Sequence, residues 1–338
     1  MERILVVSVN WLGDALLATP VFKALKEKMP FPYVAVMAPE RIREVFSENP
    51  YIDEVIICDE KMHQKSLFDK LRFARMLKRK RFDTAFLVHR SFTRALICRW
   101  AGISKRIGYK RLKNAFVLTN TISVKTNTLH RQDYYLSLFE RSGIPIRDRA
   151  PQFFISGVER ERMNIVLEGI KQRYSFIVGV HPSANWELKR WPDESFSRLC
   201  DRLIEELGCG IVFIGTQKDK SIVEKVMENM KKEAFNFCGK TNLKELGVLL
   251  ESMNLFVSND SGPAHLSMSM GTDTLVLFGP TSAHITGPRG KSVKILQKDV
   301  GCKIPCYKLN CRDNKCMKYL RVDEVFEEAK RILLNLPR

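Results

Sequence analysis

The chain has 338 residues, 45% hydrophobic and 28% charged, with 56 Lys and Arg against 38 Asp and Glu, a net charge of +18. Ordinary apolar content excludes extended disorder, and the length exceeds one typical domain, so two domains of roughly 150 residues each are expected. No apolar run approaches the roughly 20 residues that cross a bilayer, and the start lacks the cleavage pattern of a signal peptide, which makes a cytoplasmic protein the expectation.

Ile4 to Val9, Tyr33 to Met37, Glu54 to Ile57 and Thr84 to Val88 are apolar runs of strand length. Helical patterns follow them at Asp14 to Lys28, Glu40 to Ser47, Ser66 to Lys80 and Ser91 to Ala101. After Gly143-Ile144-Pro145-Ile146 and Ala150-Pro151 the pattern restarts. Strands at Phe176 to Val180, Ile211 to Ile214, Asn254 to Ser258 and Thr274 to Phe278 alternate with helices at Pro192 to Leu207, Asp219 to Lys232, Leu243 to Glu251 and Pro263 to Met270. Such alternation implies parallel sheets covered on both faces. The fold class is therefore α/β, with two doubly wound domains at 1–150 and 151–320. A last helix at 321–338 has Val325, Phe326, Ala329, Ile332 and Leu333 on one face. That face must pack on something, and either half can receive it, the first included. In open sheets of this kind ligands bind beyond the carboxyl ends of the strands, so the active site is expected between the domains.

Three turns carry the chemistry. Asn259-Asp260-Ser261-Gly262-Pro263-Ala264-His265 joins a strand to a helix whose first amides face outward. Gly262 permits close approach and the helix dipole favours an anion, so the turn can hold a diphosphate. Imidazole at His265 can donate to a phosphate or sugar oxygen there. At the start, Asn10-Trp11-Leu12-Gly13-Asp14 makes a second strand-to-helix turn. Asp14 there can serve as a helix cap, as a general base toward a hydroxyl, or as both. The third turn, His181 to Pro192, carries Lys189 and Arg190, which can reach phosphate oxygens or simply form a solvated basic loop. His181 reads as a strand-end packing residue. Neither Gly-x-Gly-x-x-Gly nor Gly-Lys-Ser/Thr is present at these turns, so dinucleotide and Walker-type sites are not indicated.

Taken in order, Asn10-Trp11-Leu12-Gly13-Asp14-Ala15, Val36-Met37-Ala38-Pro39, Lys189-Arg190-Trp191-Pro192, Gly215-Thr216-Gln217-Lys218-Asp219 and Ser258 to His265 resemble the ADP-heptose:lipopolysaccharide heptosyltransferases over nearly the whole chain. The first and third of these look more like the enzyme that adds the second heptose than the one that adds the first. The resemblance implies a GT-B architecture of two facing Rossmann-like domains and an inverting, metal-independent glycosyltransferase without a cofactor. It moves L-glycero-D-manno-heptose from ADP-heptose to the lipid-linked inner core of lipopolysaccharide. Asp14 is then the catalytic base and Lys189 the cation on the diphosphate. Ser183 adds a hydroxyl to the phosphates, Asp219 meets the adenosine ribose, and Thr241 and Leu243 flank adenine. Asp260 holds heptose hydroxyls, and Ser261, Gly262 and His265 complete the phosphate end. Asn10, Trp11, Gly13, Arg90 and Arg94 fall to the acceptor in the first half. The loop from Ser183 to Leu188 departs from the Gly-Ala-rich form of the second-heptose enzymes.

The excess charge is uneven: Lys61 to Lys113 holds 17 Lys and Arg against Asp69 and Asp83, a balance of 17 − 2 = +15. Within it, Ser66 to Lys80 places Leu67, Leu71, Ala74 and Leu77 on one face, with Phe73 and Met76 toward the basic side. Basic residues among exposed apolar ones suit the anionic inner face of the cytoplasmic membrane, and a peripheral location is expected. Arg90, Arg94, Arg99, Arg106, Lys110 and Arg111 can also steer an anionic acceptor. Nucleic acid is not expected, because no helix-turn-helix, zinc-finger or aromatic RNA-binding signature accompanies the charge. Cys58, Cys98, Cys200, Cys209 and Cys238 read as small buried side chains. Cys302, Cys306, Cys311 and Cys316 lack the C-x2-C pairs of zinc ribbons, and a reduced cluster, a metal site and disulfide pairs all stay open. A sugar-nucleotide epimerase of the same architecture, a different GT-B glycosyltransferase, and a non-catalytic sugar-nucleotide or nucleic-acid binder are the competing functions.

Overall fold

The structure, a computed structural model, describes residues 1–110, 116–124, 128–306, 308 and 310–335. Arg111 and Lys113 of the basic segment, and residues 336–338 of the expected last helix, lie outside the described residues. The chain divides into two compact units, residues 1–154 and 155–338.

The first unit is built on six parallel strands: β1 (Arg3–Val7), β2 (Tyr33–Ala38), β3 (Glu54–Ile57), β4 (Thr84–Leu87), β5 (Lys105–Tyr109) and β6 (Asn120–Ile122), in the order β3-β2-β1-β4-β5-β6. Central strand β1 sets Leu5 opposite Ala35 on one side and opposite Ala85 on the other. Strands covered on both faces need continuous apolar runs rather than alternation. Ile-Leu-Val-Val at 4–7 meets that need and is buried throughout. The helix expected over 14–28 is two helices, Leu12–Ala18 and Pro20–Lys28, because Pro20 ends the first ladder and opens the second.

The second unit repeats this wiring with β7 (Ile177–His181), β8 (Gly210–Phe213), β9 (Phe235–Asn236), β10 (Leu255–Asn259), β11 (Thr274–Phe278) and β12 (Val293–Gln297), ordered β12-β11-β10-β7-β8-β9. Read from its opposite edge the order matches that of the first sheet. Each sheet therefore reverses direction of assembly between its first and fourth strands, at β1/β4 and at β7/β10. That reversal opens a crevice at the carboxyl ends of those strands.

The last helix, Val322–Leu334, belongs to the second unit. It packs on the Asp193–Leu207 helix and on β10, and Val325, Phe326, Ala329 and Leu333 join the core made by Val178, Phe196, Leu199 and Val257. Four nearly fully buried apolar side chains stabilise that docking by roughly 1.5–3 kcal/mol each for the larger ones.

The Leu67–Arg79 helix also differs from its expected pattern. Ala74 and Leu77 are buried and Phe73 and Met76 pack on the core beside them, while Leu67, Phe68 and Leu71 are 62%, 74% and 44% exposed. The first turns of the helix overhang the core, so its apolar stripe is used only toward the carboxyl end.

Candidate active site

In the first unit the β1/β4 crossover collects polar groups at strand ends. Asp14 is the third residue of the Leu12–Ala18 helix, whose N-cap position is Trp11, so Asp14 is not the cap. It lies half-buried in the first turn, where helix amides favour a carboxylate. Tyr135, on the helix Arg131–Glu140, donates its hydroxyl to Asp14 Oδ1 at 2.8 Å. Trp11 is 54% exposed, with the Arg41 guanidinium 4.2 Å above its ring.

Arg90 donates from Nε to the Tyr134 hydroxyl at 2.5 Å and lies over the rings of Tyr134 and Tyr109, which stack 4.1 Å apart. Arg94 is not on the surface. It is 2% exposed, and its Nη1 donates to the Ser8 carbonyl at the end of β1. Burial removes it from long-range steering and makes it a brace for the turn that carries Asn10 to Asp14. Arg99 and Arg106 likewise spend guanidinium donors on the carbonyls of Phe116 and Val117.

Around this crossover several buried polar atoms have no partner among the described residues: Ser8 Oγ, Asn10 Oδ1, His89 Nδ1 and Arg94 Nη2. Native interiors satisfy more than nine in ten such groups, so four of them around one crossover are a local excess of unmet donors and acceptors. Burial, with the charge of Arg94 adding to it, pushes the His89 imidazole down to about 4.

In the second unit the β7/β10 crossover brings the other two turns together. Asn259, fully buried at the end of β10, accepts from the Trp191 amide at 3.0 Å and donates to the Pro182 carbonyl at 2.8 Å. Trp191 is itself fully buried, with its indole N–H on the Leu320 carbonyl. These contacts clamp both ends of the Pro182–Trp191 loop against the turn that runs from Asn259 to His265, a task that sequence reasoning did not give to Asn259 or Trp191.

Within the clamped loop, Lys189 Nζ donates to Asp260 Oδ2 at 2.6 Å, and the Thr281 hydroxyl donates to the same oxygen. Lys189 is thus an anchored cation and not a solvated basic turn.

Ser183, 1% exposed, donates to Asp219 Oδ1 at 2.5 Å, and Thr216 donates to Asp219 Oδ2 through both its amide and its hydroxyl. His181 is more than packing. Its Nδ1 lies 3.1 Å from Ser261 Oγ and its Nε2 4.0 Å from Asp219 Oδ2, which links the ends of β7, β8 and β10. Burial opposes the charge of Asp219, yet the contacts from His181, Ser183 and Thr216 outweigh it and hold the carboxyl well below the usual carboxylate range. Gly215 makes this packing possible, since a Cβ there would sit 2.9 Å from the Asp219 Cβ.

Ser261 occupies the N-cap position of the helix Gly262–Ser269, with Pro263 in its first turn and His265, 6% exposed, one residue beyond Ala264. Thr241 and Leu243 flank Asn242, which caps the helix Leu243–Glu251 in a reciprocal box with Glu245.

The sequence profile of glycosyltransferase family 9 (heptosyltransferase) matches residues 70–317. The chain belongs to that family. Lipooligosaccharide heptosyltransferase 2 of Haemophilus ducreyi is 25% identical over 348 aligned residues, covering 98% of this chain and 99% of that protein. The structure of E. coli ADP-heptose lps heptosyltransferase II covers 99% of both chains at 24% identity with a TM-score of 0.84. A glycosyl transferase family 9 structure from Veillonella parvula covers 99% of this chain and 98% of that one at 24% identity, with a TM-score of 0.90. The fold of this family 9 glycosyltransferase is accordingly GT-B, two Rossmann-like units each carrying one of the crossovers described above.

All nine cysteines of the heptosyltransferase are unpaired thiols, and Cys58, Cys98, Cys200, Cys209 and Cys238 are buried. Among the described residues no group of three or more His, Cys, Asp and Glu is arranged to hold a metal, and no helix is long and apolar enough to cross a membrane.

Proposed function

We propose that the enzyme transfers heptose from ADP-heptose to the lipid-linked inner core of lipopolysaccharide, adding the second heptose with inversion, and that Asp14 is the general base. The observation that carries this reading is the half-buried Asp14 carboxylate at the β1/β4 crossover, held by Tyr135 beside polar atoms suited to sugar hydroxyls. Displacing ADP builds positive charge on the sugar and negative charge on the diphosphate. Lys189 and the amides of the first turn of Gly262–Ser269 are the stabilising charges for the second of these, and Asp14 takes the acceptor proton as its oxygen attacks.

The second unit takes the donor. Asp219 receives the ribose, Thr241 and Leu243 the adenine, Ser183, Ser261, Gly262 and His265 the phosphates, and Asp260 the heptose hydroxyls. Asn10, Trp11, Gly13 and Arg90 receive the acceptor, with Arg94 behind them. The enzyme works as a peripheral protein on the cytoplasmic side of the inner membrane. Leu67 and Phe68 are exposed on the same helix as the exposed Arg72, Arg75 and Arg79, and Phe92 and Phe116 form a second exposed ring pair in the same unit at 5.7 Å; basic and apolar groups together are what an anionic interface takes up.

Purified enzyme is given ADP-heptose and truncated core lipid in anionic vesicles, and ADP is measured. Release that depends on acceptor is expected, and release without it, or none, refutes the transfer. Changing Leu67 and Phe68 to Ser is expected to weaken vesicle binding several-fold while leaving turnover on a detergent-solubilised acceptor intact; unchanged vesicle binding removes the membrane role.

A further inference from the structure

Helix Arg131–Glu140 presents two successive tyrosines to different tasks. Tyr134 takes Arg90, while Tyr135, 6% exposed, reaches across to the Leu12–Ala18 helix and donates to Asp14. The two helices pack against each other, and the Tyr135 ring is held edge-on to Tyr134 with centroids 5.5 Å apart. A packed tyrosine has two side-chain torsions, and here both are fixed, so its hydroxyl is a fixed point. Burial, with the adjacent Asp14 charge adding to it, pushes the phenol well above its ordinary pKa. It therefore remains protonated, and toward Asp14 it is a donor.

We infer that Tyr135 is the positioning residue for the base: its hydroxyl fixes the rotation of the Asp14 carboxylate by donating to Oδ1. The inference rests on the proposed role of Asp14. A hydrogen bond donated to a carboxylate favours its charged form, which keeps it able to accept a proton at lower pH. Other charged groups on elements packed against Leu12–Ala18 are Arg131, Asp133 and Glu140 on the tyrosine helix, and Arg43 and Glu44 on Arg43–Phe46.

Tyr135→Phe removes one oxygen and keeps the ring. Turnover is expected to fall on the order of tenfold, the scale of one hydrogen bond to a charged group, with the donor KM unchanged. The acid limb of the kcat/KM profile is expected to move up by about one pH unit. Combining Tyr135→Phe with Asp14→Asn is expected to add nothing to Asp14→Asn alone, since the two act as one unit.

A lower melting temperature with the acid limb unmoved would make Tyr135 a packing residue and overturn the inference, as would a further tenfold drop in the combined variant. Asp14→Asn, measured alongside, separates the two ideas. Severe loss there with a wild-type profile for Tyr135→Phe rejects Tyr135 alone, whereas near-normal turnover in Asp14→Asn rejects the base itself.

Discussion

The two sheets share one strand order, yet their crossovers are finished differently. At β7/β10 the polar side chains have found one another: Lys189 with Asp260, Ser183 and Thr216 with Asp219, His181 with Ser261, and Asn259 across the loop. At β1/β4 the Asp14–Tyr135 bond stands beside Ser8, Asn10, His89 and Arg94, each with a buried atom lacking a partner among the described residues. A networked crossover is preorganised before a ligand arrives, and on the proposed reading it takes the nucleotide diphosphate. One with unmet donors and acceptors depends on what enters it, which under the same proposal is the larger, hydroxyl-rich acceptor.

The sharpest way to break this contrast is at Asp14. Asp14→Asn is expected to lower turnover by roughly a hundredfold or more, as loss of a general base does, while ADP affinity measured by calorimetry stays unchanged. A parallel loss of ADP binding would mean that the two crossovers are not chemically separate.

Lys189→Ala is the counterpart in the second unit. Donor affinity and turnover should both fall, by on the order of tenfold for affinity and more for rate, if Lys189 makes the proposed charged contact to phosphate. An unchanged donor constant would place Lys189 outside the site.

The last test concerns His89 and reads stability instead of rate. Its folded pKa lies at about 4 against an ordinary 6.5, so between these values the unfolded chain binds more protons than the folded one. Stability is full above about 6.5 and declines as pH falls through that window, by roughly 2–3 kcal/mol at pH 4.5. Urea midpoints at pH 7 and 4.5 should draw together in His89→Gln. Equal pH dependence in both proteins would show that the imidazole is not held neutral.

Long apolar strands announced the architecture. β1, β4, β7 and β10 are buried on both faces and read as uninterrupted apolar runs. β5 opens with an exposed Lys105 and a half-buried Arg106, β9 has only two residues and β12 is half-buried, so none of them stood out from loop. The turns that follow the central strands were legible because Gly, Pro and Asp have few other uses in such places.

Tyr135 was not legible. Its helix buries Tyr134, Tyr135, Leu136, Ser137, Leu138 and Phe139 in succession, with apolar residues on all sides, and so gives no one-sided period to detect. Asn259 lay inside a quoted motif, yet only distance shows that its amide bonds chain 68 residues away at Trp191. Arg94 looked like surface charge because composition cannot tell a buried guanidinium from an exposed one.

Each sheet is drawn from one unbroken stretch of chain, β1 to β6 ending at Ile122 and β7 starting at Ile177. On a ribosome, where domains fold as units from the amino terminus, every strand around Asp14 has emerged before the first strand of the partner sheet is translated. The Asp14–Tyr135 contact, with both residues before Phe154, can thus assemble co-translationally once synthesis has run far enough past Phe154 for Tyr135 to clear the exit tunnel.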